Sequence, residues 1–395
     1  MSGTHGGTTE EVVRVELGAR SYPIYIGAGI IEKIGPRLRE HGAASRLAVV
    51  TNPTVAELYA DRVCRSLEEA GFTPVLIEIP DGEEHKNLAS LASIYDRLIG
   101  AKLDRGATLV ALGGGVVGDI GGLAAATFLR GVSLVQVPTT LVAQVDASVG
   151  GKTAINHQAG KNLIGAFYQP RMVLADVEVL GSLPQRELVS GLAEVIKYAI
   201  ILDADFFDFL ETALPRALDA DPEVLRRIVA VCCRLKAAVV GEDETESGYR
   251  AVLNLGHTVG HAIEVLTDYN RYLHGEAVAV GMVFAALLSE ARGYCDPATG
   301  DRIRRLVERA GLPLEVPRDI DAEALAGAIG VDKKTRDGAV KFVCVEAIGR
   351  TRFERIEGRA IAAYLTMWRT RETESAEQRG CEWRRGITQE KGVGR

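Results

Sequence analysis

Apolar residues over the first 140 positions follow two alternating rhythms. Val12–Leu17, Tyr22–Ile26, Arg46–Thr51, Pro74–Ile79, Thr108–Leu112 and Val132–Pro138 are short runs with the length and composition of strands. Between them, Ile30–His41, Val55–Gly71 and Leu88–Leu103 repeat their apolar residues every three or four positions, as helices do. Strands alternating with helices predict a mainly parallel sheet covered on both faces. The first two runs, joined by Gly18-Ala-Arg-Ser21, predict an opening strand pair. From Thr139 to Asp176 charge is sparse, with isolated polar residues at Asp146, Ser148, Lys152, Asn156, Lys161 and Asn162. Beyond Asp176, helical period dominates to about residue 330, and one strand-like run follows at Val340–Val345. The expected organisation is a disordered start (1–10), an α/β domain (11–180), a helical domain (181–370) and a polar tail (371–395).

Composition narrows the class. The chain has 395 residues, 47% hydrophobic and 25% charged, enough for a large core in one or two domains. A net charge of −7 with dispersed Lys and Arg argues against nucleic-acid binding. No uninterrupted apolar stretch approaches membrane-spanning length, and Met1–Glu10 lacks the apolar core of a signal peptide. Six scattered cysteines without a CxxC pair predict reduced thiols in a cytoplasmic protein.

Three stretches carry chemistry. The strand ending at Leu112 runs into Gly113-Gly-Gly-Val-Val-Gly-Asp-Ile-Gly-Gly122. Glycines there let the backbone approach phosphate oxygens at the N-terminus of the next helix, although a plain tight turn would read the same. Gly150-Gly-Lys-Thr153 is not a P-loop, because Asp146 stands where the first glycine is required. Arg250, Asn254, His257 and His261 are spaced by four, three and four, which on one continuous helix would align all four on one face. Unpaired polar groups are costly in a core, so such a stripe predicts a polar site; a solvated face or satisfied core histidines would share the spacing. Glu194 and Lys197 sit three apart on an apolar helix, where a carboxylate needs a metal or a cation that Lys197 could supply. His274 opens a further apolar helix. Glu194, His257 and His274 form a candidate His₂Glu metal set. Spacing serves His257 with His261 equally well as a ligand pair, and does not decide which histidine handles protons.

Taken together, Gly113–Asp119, Val137-Pro-Thr-Thr-Leu141, Val149–Thr153, Gly160-Lys-Asn162, Gly191–Lys197, Leu253–Thr258, Gly260–Glu264 and Leu273–Val278 closely resemble the 3-dehydroquinate synthase family of sugar-phosphate cyclases, over about residues 11–365. The resemblance implies an N-terminal Rossmann-like NAD domain and an all-α C-terminal metal-binding domain. It implies conversion of 3-deoxy-D-arabino-heptulosonate 7-phosphate to 3-dehydroquinate and phosphate, with NAD regenerated in each turnover, Zn²⁺ or Co²⁺ bound, and a homodimer.

For NAD the resemblance implies Asp81-Gly82-Glu83-Glu84-His85-Lys86, Gly115-Val116-Val117-Gly118-Asp119, Thr139, Thr140, Lys161 and Val179-Leu180-Gly181-Ser182. Lys152 falls where cofactor and substrate meet. Glu194, His257 and His274 match metal ligands. Arg130, Asp146, Asn162, Lys197, Lys236, Arg250 and Asn254 match positions around the substrate. Glu246 and His261 match proton-handling positions, and Asp332-Lys333-Lys334 carries a lysine of the site, either Lys333 or Lys334. Departures are small: Val259 and Leu123 replace common aromatics. An aminodehydroquinate synthase would keep nearly all these motifs. A metal-dependent alcohol dehydrogenase would release NADH in bulk, and a catalytically dead binding protein would have no use for so costly a set of buried charges.

Overall fold

The computed structural model describes residues 10–331, 335–336, 339–358 and 360–368. Lys333 and Lys334, residues 1–9 of the start and the whole 371–395 tail lie outside the described residues. The chain groups into two compact units, residues 1–253 and 254–395.

Unit 1 is organised by a seven-stranded sheet in the order β1-β2-β9-β6-β5-β3-β4. The strands are β1 (Glu11–Val15), β2 (Tyr22–Gly27), β3 (Arg46–Thr51), β4 (Thr73–Glu78), β5 (Thr108–Gly113), β6 (Ser133–Pro138) and β9 (Met172–Asp176). Only β1 runs antiparallel, paired with β2 as an opening hairpin; the other pairings are parallel. Alternation explains the two covered faces. Leu47, Val49, Val110 and Leu112 point to one side, where they meet Ile34 and Leu38 of α1 (Ile34–Glu40). On the same side, α2 (Pro53–Val55) passes through a π turn (Ala56–Ala60) into α3 (Asp61–Glu69), which adds Val63 and Leu67. Ala48, Val50, Leu109 and Ala111 point to the other side, against Leu91, Ile94 and Leu98 of α4 (Leu88–Gly100) and Ile120 and Ala124 of α5 (Gly115–Thr127).

The 139–176 stretch holds more structure than its pattern predicts. A π turn (Ala143–Ala147) is followed by an antiparallel hairpin, β7 (Lys152–His157) with β8 (Gly160–Phe167), and then by β9. Three helices complete unit 1: α6 (Gln185–Leu202), α7 (Ala204–Leu218) and α8 (Pro222–Glu242). Because α8 packs on β1 and β2, these helices belong with the sheet. The change of pattern near residue 180 marks where the sheet's strands end, while the packing divides at 253/254.

Unit 2 contains α9 (His257–Leu266), α10 (His274–Ala291), α11 (Pro297–Arg309), α12 (Ala322–Val331) and a small sheet of β10 (Thr335–Arg336), β11 (Ala339–Ala347) and β12 (Arg350–Glu357). Helices dominate, and the sheet extends the single strand-like run seen at Val340–Val345. By length and composition alone α10 could cross a membrane, but Glu276 and Glu290 interrupt its apolar run and it is mostly buried as the core helix of this unit.

One expectation is corrected. Arg250 to Glu264 is not one continuous helix: a 3₁₀ turn (Tyr249–Asn254) ends before α9, and Gly256 between them has φ +80°. The left-handed glycine breaks the face that would have aligned Arg250 with His257.

Candidate active site

The segments expected to meet a nucleotide follow the carboxyl ends of parallel strands, the usual ligand position in a doubly wound sheet. Asp81–Lys86 follows β4, Gly115–Asp119 opens α5 after β5, Thr139 and Thr140 follow β6, and Val179–Ser182 follows β9. Side chains tie these loops together. Thr54 Oγ1 donates to Asp81 Oδ2 at 2.8 Å, and Tyr59 OH donates to Val179 O at 3.1 Å and lies 2.5 Å from Ser182 Oγ. Glycine spacing on α5 has a packing cause as well. A Cβ on Gly114 would come within 2.9 Å of Thr140, and one on Gly122 within 2.4 Å of Thr153. Gly115 meets only Ala147 at 3.7 Å, which leaves the helix N-terminus open to a ligand.

The β7–β8 hairpin is fastened to the same region. Lys86 is buried, and its Nζ donates to Asp119 Oδ2 at 2.5 Å and to Asn162 Oδ1 at 2.6 Å. Asn156 receives the Asn162 N–H and donates to Glu83, so the turn near Lys161 and Asn162 is held against the 81–86 loop. Burial raises the Asp119 carboxyl above its ordinary range, although Lys86 attracts its charge.

A second charged set in unit 1 gathers Asp146, Lys152, Glu194, Lys197, Lys236, Glu246 and Arg250. Lys236 donates to both the carboxylate and the backbone carbonyl of Asp146, and Tyr198 OH donates to Asp146 Oδ1 at 2.8 Å. Burial opposes the Asp146 charge, but the Lys236 and Lys197 ammoniums and the Tyr198 hydroxyl hold its carboxyl well below the usual range. The Lys236 ammonium is itself pushed down to about 8, chiefly by burial and against the pull of Asp146.

Glu194 and Lys197 are wholly buried on α6 and paired, so the intrahelical partnership offered by the i, i+3 spacing does form. Although burial disfavours it, Glu194 and Asp146 raise the Lys197 pKa. Lys152 pairs with Glu246. Arg250 is buried, with Nη2 donating to Gly150 O at 3.1 Å and Nη1 to Glu244 O. A Cβ on Gly150, whose φ is +89°, would lie 2.5 Å from Arg250 Nη2, so the glycine makes the seat of this guanidinium. Arg130 stands exposed in a tight turn after α5, where Leu129, Arg130 and Gly131 all have positive φ, outside both sets.

In unit 2, α9 and α10 approach through glycines. A Cβ on Gly281 would fall 1.9 Å from Gly256 O, and one on Gly260 3.0 Å from Ala277 O. This contact brings three imidazoles together, with ring centroids 5.3 Å apart for His257–His261, 5.2 Å for His257–His274 and 5.9 Å for His261–His274. His257 is buried and its Nδ1 lies 3.1 Å from Leu255 O, which fixes Nδ1–H as the donor and leaves Nε2 for a metal. His274 Nδ1 lies 3.4 Å from buried Glu264 Oε2, an acceptor that sequence spacing did not single out. His261, Glu264 and His274 present ligand atoms within 4.8 Å of one another. Imidazoles and a carboxylate so arranged suit Zn²⁺ or Co²⁺. Asn254 also belongs to this unit, just before Gly256.

The family pattern described as 3-dehydroquinate synthase N-terminal matches residues 76–190, and that described as 3-dehydroquinate synthase C-terminal matches residues 191–335. A 3-dehydroquinate synthase from Pelobacter propionicus is 57% identical over 338 residues, 86% of this chain and 94% of that one. Among solved structures, a 2-deoxy-scyllo-inosose synthase complexed with carbaglucose-6-phosphate, NAD⁺ and Co²⁺ is 25% identical, with a TM-score of 0.83 over 90% of this chain and 99% of that one. A 2-epi-5-epi-valiolone synthase from Streptomyces hygroscopicus subsp. jinggangensis with NAD⁺ and Zn²⁺ bound is 26% identical, with a TM-score of 0.82 over 90% of this chain and 98% of that one. Both halves of the pattern occur in order, and the identity extends over nearly the whole of a relative: the chain belongs to the 3-dehydroquinate synthase family.

Proposed function

We propose that this chain converts 3-deoxy-D-arabino-heptulosonate 7-phosphate into 3-dehydroquinate and inorganic phosphate in the shikimate pathway. It acts as a cytoplasmic, homodimeric carbon–oxygen lyase with NAD and Zn²⁺ or Co²⁺. The observation that carries this reading is the 57% identity to a 3-dehydroquinate synthase across 94% of that relative.

His257, His274 and Glu194 are the metal ligands. Asp81–Lys86, Gly115–Asp119, Thr139, Thr140, Lys152, Lys161 and Val179–Ser182 receive NAD; the grouping of four of these segments after β4, β5, β6 and β9 supports that assignment. When bound, the metal and the nicotinamide supply a Lewis acid at a ring hydroxyl and a hydride acceptor that returns what it takes.

The chain's own side chains do the rest. Lys152, Asn162, Lys197, Lys236, Arg250, Asn254 and one of Lys333 and Lys334 hold the substrate's phosphate, carboxylate and hydroxyls. Asp146, kept ionised, fixes the Lys236 ammonium in place. Glu246 and His261 move protons: the carboxylate works beside the Lys152 amine with which it pairs, and the exposed imidazole exchanges with solvent. Loss of phosphate needs a proton removed next to a carbonyl, and ring closure needs protons returned to oxygen, so groups able to do both are required.

The test follows phosphate release from the heptulosonate phosphate with NAD and Zn²⁺, while absorbance reports NADH. Stoichiometric phosphate and dehydroquinate without net NADH is the expected result. No phosphate despite bound NAD and metal would overturn it in favour of an amino-substituted substrate. Net NADH without phosphate would point to a dehydrogenase.

A further inference from the structure

The loop joining α8 to the turn at Tyr249 is built around Asp243, a buried side chain with no role in the scheme above. Its carboxylate gathers four donors. Oδ1 accepts from Ser247 N at 2.8 Å and Ser247 Oγ at 3.1 Å, and Oδ2 accepts from Gly248 N at 2.8 Å and Arg250 N at 3.0 Å. Successive N–H groups converging on an anion are the arrangement by which loops bind phosphate. In this loop the anion is the chain's own.

The ring of hydrogen bonds has a consequence for Glu246. Its φ of +58° lies in the left-handed region, which a non-glycine residue enters at a cost and keeps only when its surroundings impose it. The bonds from Asp243 to the two residues that follow Glu246 impose it. The loop so held turns the Glu246 carboxylate onto Lys152 and carries the Arg250 guanidinium to Gly150 O. Two groups assigned to substrate chemistry therefore depend on one carboxylate for their direction.

We propose that Asp243 is a positioning residue: it holds the 244–250 loop in the conformation that presents Glu246 and Arg250 to the substrate, and so sets turnover without touching the substrate. This rests on the roles given to Glu246 and Arg250 above.

The test compares Asp243→Asn, Glu246→Gln and the double variant in the metal-loaded, NAD-bound enzyme. Asn keeps one acceptor but turns an amide donor on the N–H groups that the second oxygen received. Misdirection of a catalytic group costs about 100-fold, so kcat should fall roughly 10- to 100-fold in Asp243→Asn. Part of the effect of Asp243 passes through Glu246 and part through Arg250, so the double variant should lose less than the product of the two single losses. Amide exchange should quicken at Ser247, Gly248 and Arg250 while the sheet amides and NAD affinity stay unchanged. Should Asp243→Asn fail to fold, Ser247→Ala removes one of the four donors and should lower kcat by about two- to fivefold through the same loop.

A kcat for Asp243→Asn within twofold of the parent, or losses that multiply in the double variant, would overturn the inference. So would loss of turnover only in step with loss of NAD binding and of the folded sheet. If Glu246→Gln and Arg250→Lys themselves leave kcat unchanged, the roles assigned to them fail and the inference falls with them. If they lower it and Asp243→Asn does not, the positioning inference alone fails.

Discussion

The imidazoles of unit 2 and the charged set of unit 1 are both polar groups set among apolar elements, yet they are assembled by opposite means. His257 and His261 lie one turn apart on α9 and His274 is the first residue of α10, so backbone geometry brings the rings together wherever the two helices touch. That touch depends on Gly256, Gly260 and Gly281, residues with no side chain at all. Asp146, Lys152, Lys236, Glu246 and Arg250 come from a π turn, a hairpin, a helix and a loop. Ion pairs join Lys152 to Glu246 and Lys236 to Asp146, and backbone carbonyls of Gly150 and Glu244 hold Arg250. The helix-borne set should therefore tolerate loss of one polar neighbour and fail when backbone bulk is added. The loop-borne set should show the reverse.

The largest effect expected is on the imidazoles themselves. His257→Ala removes the ring whose Nδ1 is already committed to Leu255 O, and should lose metal and activity together, the latter on the order of a thousandfold. His261→Ala removes the exposed ring and should keep metal while losing turnover. Metal content of the two purified variants separates these outcomes, and full metal in His257→Ala would show the ligand assignment to be wrong.

Next in size is a backbone test. Gly281→Ala places a methyl 1.9 Å from Gly256 O, a backbone atom that cannot step aside. Overpacking of this kind costs about 3 kcal/mol at the upper end of its usual range, so thermal melting should fall and metal uptake with it. Gly150→Ala meets the far end of the Arg250 side chain at 2.5 Å and Val240 at 2.8 Å, as well as an unfavourable φ of +89°. It should lower kcat/KM more than it lowers the melting temperature. Equal melting losses from the two substitutions would erase the contrast between the units.

Legibility in the sequence follows the same division. The β–α alternation was visible because the inner strands are buried on both faces and read as short apolar runs. The pairs His257–His261 and Glu194–Lys197 were visible because helical spacing is periodic. The β7–β8 hairpin was not, since Asn162 to Phe167 is exposed throughout and shows no alternation. The four–three–four spacing from Arg250 to His261 resembles a helix, but one left-handed glycine at position 256 separates the Arg from the histidines. Asp243 left no trace in the pattern because its partners are mostly backbone N–H groups, which every residue but proline supplies. A charged set joined by loops is thus the part of a site that sequence spacing conveys least.

The smallest effect expected is a titration confined to that loop-joined set. Burial brings the Lys236 ammonium down to about 8, despite its bond to Asp146. Below that pH the side chain is charged and can hold an anionic substrate; above it the proton is lost and the attraction with it. The sign is therefore a fall: kcat/KM should decline through about pH 8 to 9, by up to tenfold per unit once the neutral amine dominates. Asp146 adds no acid limb in this range, since its carboxyl is held well below the usual values. The residual activity of Lys236→Met, which cannot titrate there, should lack the alkaline decline. A parent profile flat to pH 9.5, or the same decline in Lys236→Met, would separate Lys236 from substrate binding and leave it as the structural partner of Asp146.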